Sequence, residues 1–133
     1  IIGHELNSAY SLLEWFLNEN SNEINGYANA IFSGLPTVYV SDVLHKYIFG
    51  RDISGLYHLS VNPINKYNLL KKIAKTYNKK IIINKDTDLK IDRSLCCKKL
   101  IKKTGYNYPD WDELISMMYQ DHLKNKIYEN KQA

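Results

Sequence analysis

An α/β fold with mixed α+β packing is what this sequence predicts, and three observations predict it. Short β-prone runs alternate with stretches of helical periodicity along the chain. Helical stretches open on side-chain oxygens suited to capping, as at Ser11, Asn65 and Asp110. The stretch NAIFSGLPTVYVSDVL, Asn29 to Leu44, holds an exposed turn between two apolar segments. Such a turn on a rigid scaffold is where binding groups are usually presented, and it also suits an ordinary strand-turn-helix connection.

Ile1 to Gly3 reads as the end of a buried strand, followed by a loop of His4, Glu5, Leu6 and Asn7. Loops after strand ends are where open α/β sheets place ligands, so His4 and Glu5 are candidate site residues. Ser8 to Asn18 reads as a helix with Tyr10, Leu13, Phe16 and Leu17 on one face, Trp15 at its flank and a capping pair of Ser11 and Glu14. Glu23 to Tyr27 is a weak strand in which Gly26 signals a bulge or a close backbone approach.

In the central stretch Ala30, Ile31 and Phe32 are apolar, and Ser33, Gly34, Leu35 and Pro36 turn the chain. Val38, Tyr39 and Val40 favour an extended backbone. Ser41 and Asp42 then open a helix to Phe49, with Val43, Leu44, Tyr47 and Ile48 as its stripe and Gly50 as its stop. Asp42 and His45, three apart on it, suit a capping carboxylate beside a surface histidine, or an acid-base dyad.

Gly55 opens a strand, Leu56 to Val61, in which Tyr57, Leu59 and Val61 alternate with His58 and Ser60. Asn65 caps the clearest helix, where Leu69, Leu70, Ile73, Ala74 and Tyr77 oppose a lysine face. Lys80 to Ile83 reads as a short buried strand, and Asp86 to Leu89 as a polar connection. Ser94 caps a basic helix with Leu95, Leu100 and Ile101 inside and Gly105 at its end. Asp110 and Glu113 precede a last helix with Trp111, Leu114, Ile115 and Met118 facing inward. The polar residues after His122 read as a frayed tail, so the domain spans 1–122 and the tail 123–133.

The 133 residues make one domain with a sizeable core, and 44% hydrophobic with 24% charged residues suits a soluble globular chain. The net charge of +4 comes from lysine clusters, Lys71 to Lys80 and Lys98 to Lys103, which read as solvated faces. Arg51 and Arg93 are the only arginines, too few for a nucleic-acid surface. Cys96 and Cys97 are adjacent; helical neighbours point about 100° apart and neither bridge nor pair on a metal. Two such thiols suit a reducing cytoplasm. The four histidines lack metal-ligand spacing, and no apolar run reaches the roughly 20 residues of a membrane span. The apolar start at Ile1-Ile2, with no initiator methionine, reads as a piece of a longer protein.

No glycine-rich dinucleotide fingerprint, P-loop or zinc pattern is present in the sequence. Taken in order, IIGHEL, NAIFSGLPTVYVSDVL, GLYHLSVNPINKYNLLKKIA and IDRSL resemble the C-terminal part of extended short-chain dehydrogenase/reductases. The branch that modifies nucleotide sugars, similar to dTDP-4-dehydrorhamnose reductase, fits best, and the resemblance runs from Ile1 to about Met118. It implies a Rossmann-type enzyme whose N-terminal part holds NAD(P) and a catalytic tyrosine-lysine pair, while the C-terminal part closes over the nucleotide sugar. This chain would be that substrate-binding part, without tight cofactor binding or catalytic residues of its own.

Carried over, the resemblance puts Gly3 beside the cofactor, with His4 and Glu5 at the nicotinamide and sugar. Phe32, Ser33, Gly34 and Thr37 would line the nucleotide-sugar cleft, and Arg93 would offer a fork to phosphate or pair with Asp92 or Asp112. Asp42 would cap its helix. The implied function is reduction of a nucleotide-linked keto-sugar for surface polysaccharide; an epimerase or dehydratase on the same scaffold, or a non-catalytic binding module, are the alternatives. The partners implied are the nucleotide sugar, an N-terminal Rossmann part and, across an open sheet edge, a second copy; nucleic acid and membrane are not among them.

Overall fold

The computed structural model describes residues 1–5 and 10–132, and side chains as far as residue 125. Leu6, Asn7, Ser8 and Ala9 therefore lie outside the described residues. Helix α1 (Leu12–Asn18) starts at Ser11, whose hydroxyl accepts the Glu14 amide at 3.3 Å. Tyr10 precedes the helix and is 94% exposed, so it does not join the apolar face; Leu13 and Phe16 are fully buried.

Strand β1 (Glu23–Tyr27) pairs in parallel with β4 (Ile82–Asp86) in unbroken register from Glu23↔Ile82 to Tyr27↔Asp86. Gly26 therefore marks a close approach and no bulge. A Cβ there would stand 3.0 Å from Tyr67 Cα, in the first turn of α3 (Lys66–Thr76). The expected buried strand at Lys80 to Ile83 begins later, at Ile82, and is not buried: Ile82 is 61% exposed. Helix α3 packs against this two-stranded sheet, and the residues directed away from it are left to solvent.

The second sheet has β2 (Ala30–Phe32) at its centre, between antiparallel β3 (Ile64–Asn65) and parallel β5 (Ile91–Asp92). The turn Ser33 to Pro36 leads into α2 (Thr37–Val43), which continues as a π turn over Leu44–Ile48. Val38 to Val40 are thus helical, not extended. Proline fits a helix start, and helical spacing lets Tyr39, Val43 and Tyr47 all enter the core, which outweighs the β preference of two valines. Asp42 consequently lies inside α2 and does not cap it. The segment ends at Gly50, φ 73°.

Leu56 to Val61 is extended but belongs to no ladder among the described residues; its sheet-side bond runs from the Val61 amide to Ser33 O at 3.0 Å. The expected alternation breaks at Ser60, which is buried because its hydroxyl donates to Leu95 O and its carbonyl accepts the Tyr106 hydroxyl. Helix α4 (Lys98–Thr104) starts at Cys97, because the Ser94 amide turns back to Asp92 Oδ1 instead. Leu95 is half exposed as a result, and Gly105 closes the helix at φ 72°. Asn65 and Asp110 cap α3 and α5 (Trp111–Gln132) through the Asn68 and Glu113 amides, at 2.8 and 2.9 Å. The α5 helix continues through the polar segment after His122. One core joins the inner faces of α1, α2, α3 and α5.

Burial pushes the Tyr39 hydroxyl up to about 12 and raises those of Tyr77 and Tyr106 as well. An unfolded tyrosine ionises near pH ~10, so above that the unfolded chain releases protons that the folded chain keeps. Stability is thus fully present below pH ~10 and is lost as pH rises through about 12. A urea midpoint that falls steadily over this window is expected; a midpoint unchanged there would contradict the burial of these hydroxyls.

Candidate functional site

A cleft of about 590 Å³ opens over β2, between the first residues of the chain and the segment 89–93. Its floor and walls are largely apolar, from Leu12, Ala30, Ile31, Leu69, Leu89 and Ile91. Gly3, His4, Glu5, Phe32, Thr37 and Arg93 line it, and Ser33 and Gly34 do not.

The start of the chain is tied to the α2 turn through a parallel bridge, Ile2 to Pro36. The Ile2 amide donates to Leu35 O and the Thr37 amide to Ile2 O, each at 2.9 Å. Gly3 is packed so closely that a Cβ would stand 2.8 Å from Thr37 Oγ1. His4 is held from two sides: Nδ1 lies 2.7 Å from Glu14 Oε1, and Nε2 lies 2.9 Å from the Tyr77 hydroxyl. A carboxylate can only accept, so Nδ1 donates to Glu14, and Nε2 shares a hydrogen bond with the Tyr77 hydroxyl. The ring also stacks on His122, with centroids 3.7 Å apart. Glu5 Oε2 accepts the Tyr10 and Ser11 amides at 2.8 and 3.1 Å, which anchors the approach to α1.

Phe32 presents a half-buried ring to the cleft and meets Trp111 at 6.1 Å. Gly34 makes that position possible, since a Cβ would collide with the Phe32 ring. Ser33 faces inward at 1% exposure; its hydroxyl accepts the Leu95 amide at 2.8 Å and its carbonyl the Val61 amide. Both residues were expected in the cleft wall. Both instead shape the turn behind it, because a polar turn this deep must satisfy its own backbone groups.

Arg93 is fixed by its amide, which donates to Ile31 O at 3.1 Å, while its guanidinium is exposed. Neither aspartate considered for it is its partner. Asp112 pairs with Lys72 at 2.7 Å, and Asp92 accepts from Ser94, which holds the Asp92 carboxyl below its ordinary value. One charged lining residue was not expected from the sequence. Lys66, half buried at the first position of α3, reaches the cleft and has no carboxylate within 4.0 Å among the described residues. Nothing in the sequence separated it from the lysine face of that helix.

Asp42 and His45 are both exposed and border a different, open depression beside Tyr108 and Glu113. Among the described residues no three His, Cys, Asp or Glu side chains gather as a metal site would need, and no helix is long and apolar enough to cross a membrane.

The architecture is similar to that of two solved structures. One is dTDP-4-dehydrorhamnose reductase from Bacillus anthracis str. Ames in complex with NADP, with a TM-score of 0.67 and 17% identity. The match covers 86% of this chain and 44% of that one. The other is RMD from Pseudomonas aeruginosa complexed with NADPH, with a TM-score of 0.54, 13% identity, and 82% and 38% coverage. This chain therefore spans less than half the length of either structure. At such identities the likeness is one of fold, and the fold is the mixed α/β arrangement anticipated from the sequence. No protein-family model and no curated protein sequence matches the chain.

Proposed function

We propose that this chain is the nucleotide-sugar-binding portion of an NAD(P)-dependent reductase, similar to dTDP-4-dehydrorhamnose reductase, which reduces a nucleotide-linked keto-sugar for surface polysaccharide in the cytoplasm. The observation that carries the reading is an exposed arginine, Arg93, that lines an apolar cleft on this fold and has no carboxylate partner among the described residues. Its fork suits phosphate oxygens, and the Phe32 ring offers a flat face to a base. His4 and Glu5, held rigid by their own hydrogen bonds, stand at the end of the cleft assigned to the sugar. The apolar walls exclude water from whatever is bound.

The residues present do not fit a dinucleotide cofactor. Of the six glycines, Gly3, Gly26 and Gly34 are taken up by internal packing, and Gly50, Gly55 and Gly105 are left-handed turns in open space. None forms the cradle that a pyrophosphate needs. In this reading Gly3 borders the cofactor at most, and NAD(P) with the catalytic tyrosine and lysine belongs to a Rossmann part docked beside the cleft.

The work of this chain is then to bind and orient. Calorimetry with dTDP is expected to give a measurable affinity that Arg93→Ala weakens by about tenfold, the worth of one charge-assisted contact. The chain alone is expected not to oxidise NADPH with a nucleotide keto-sugar. Absence of any dTDP binding, or turnover by the isolated chain, would overturn the proposal.

A further inference from the structure

We infer that Lys66 is a second anion-binding residue of the cleft, so that the site is built for a ligand carrying two adjacent phosphates. The inference rests on the nucleotide-binding reading above and adds a residue to it. Its basis is the register of the small sheet. Ile31 of β2 pairs with Asn65 on one side and with Asp92 on the other. Lys66 and Arg93 follow those two partners, but β3 runs against β2 and β5 runs along it, so the cations flank β2 diagonally, Lys66 level with Ala30 and Arg93 level with Phe32. Both line the same cleft. Two strand spacings across and two residues along, their backbones stand roughly 12 Å apart, a gap that two long side chains can close around a diphosphate.

Other basic side chains near the core are already engaged. Lys72 pairs with Asp112, Lys79 donates to Leu17 O and Glu19 O, Lys99 to Leu56 O, and Arg51 to Thr104 O and Lys46 O. Among the described residues Lys66 and Arg93 have no such side-chain acceptor, although Lys66 is half buried. Glu5, the one carboxylate lining the cleft among the described residues, accepts the Tyr10 and Ser11 amides. Two cations over an apolar floor leave a local positive potential, and a diphosphate can bridge two cations that a single phosphate reaches only one at a time.

The test compares dTDP, dTMP and thymidine by calorimetry on the wild type, Lys66→Gln and Lys66→Arg. Wild type is expected to prefer dTDP over dTMP by about tenfold; Lys66→Gln should lose about tenfold for dTDP and leave thymidine unchanged, and Lys66→Arg should retain the preference. Melting of Lys66→Gln at the wild-type temperature separates lost binding from lost fold. Wild-type binding of dTDP that Lys66→Gln changes by less than about twofold overturns the role of Lys66 and leaves the nucleotide reading standing. Failure of the wild type to bind dTDP at all overturns both.

Discussion

Phe16→Ala is expected to cost about 3–5 kcal/mol of folding stability, the range for truncating a fully buried aromatic. The ring has 0% exposure, and α1 has only seven residues, too few to hold a helix without tertiary packing. Leu13 and Phe16 are the two buried side chains that fasten it to the core. Losing one leaves a cavity and also loosens Glu14, which positions His4 at the cleft. Trp15, beside it in sequence and 42% exposed, provides the control: Trp15→Ala should cost much less. Since domains of this size are stable by about 5–15 kcal/mol, the Phe16 variant should show a greatly lowered urea midpoint. A loss below ~1 kcal/mol would contradict the packing of α1.

The second large effect is expected at Gly26. An added methyl would sit 3.0 Å from Tyr67 Cα and 2.9 Å from Ile83 Cγ2. The isoleucine branch can turn away, but the tyrosine Cα is backbone at the start of α3 and cannot. Gly26→Ala should therefore cost about 1–3 kcal/mol through overpacking, and it should do so by parting α3 from the β1-β4 pair. Asn25→Ala, one residue away on an exposed position, should change stability little. Equal melting temperatures for the two variants would show that the helix does not press on the strand.

The same contact explains what the sequence made legible. A glycine within a strand pattern indicated a close approach, and unbroken pairing on both sides excludes the bulge. Helices α3 and α5 were readable because each combines a capping oxygen with an apolar stripe, so local and tertiary preferences agree. At Val38 to Val40 they conflict: β-branched residues favour extension, and only the burial of Tyr39 with Val43 decides for helix. The alternating run at Leu56 to Val61 had the pattern of a strand but pairs with no neighbour among the described residues, and β5, two residues long, had no pattern to read.

The cleft divides in the same way. Phe32, Thr37 and Arg93 came from motifs in order along the chain, and the fold brings them together. Ser33 and Gly34 belong to the same motif, but the fold spends them on satisfying and shaping the turn. Lys66 was hidden because a lysine after a helix cap looks like any solvated lysine; only the fold brings it to the cleft that Arg93 lines.

The most direct test of the account is an amide-shift map of the isotope-labelled chain titrated with dTDP. Saturable shifts are expected at Phe32, Thr37, Lys66 and Arg93, which line the cleft. Shifts confined to the open depression around Asp42 and His45, or none at all, would contradict it.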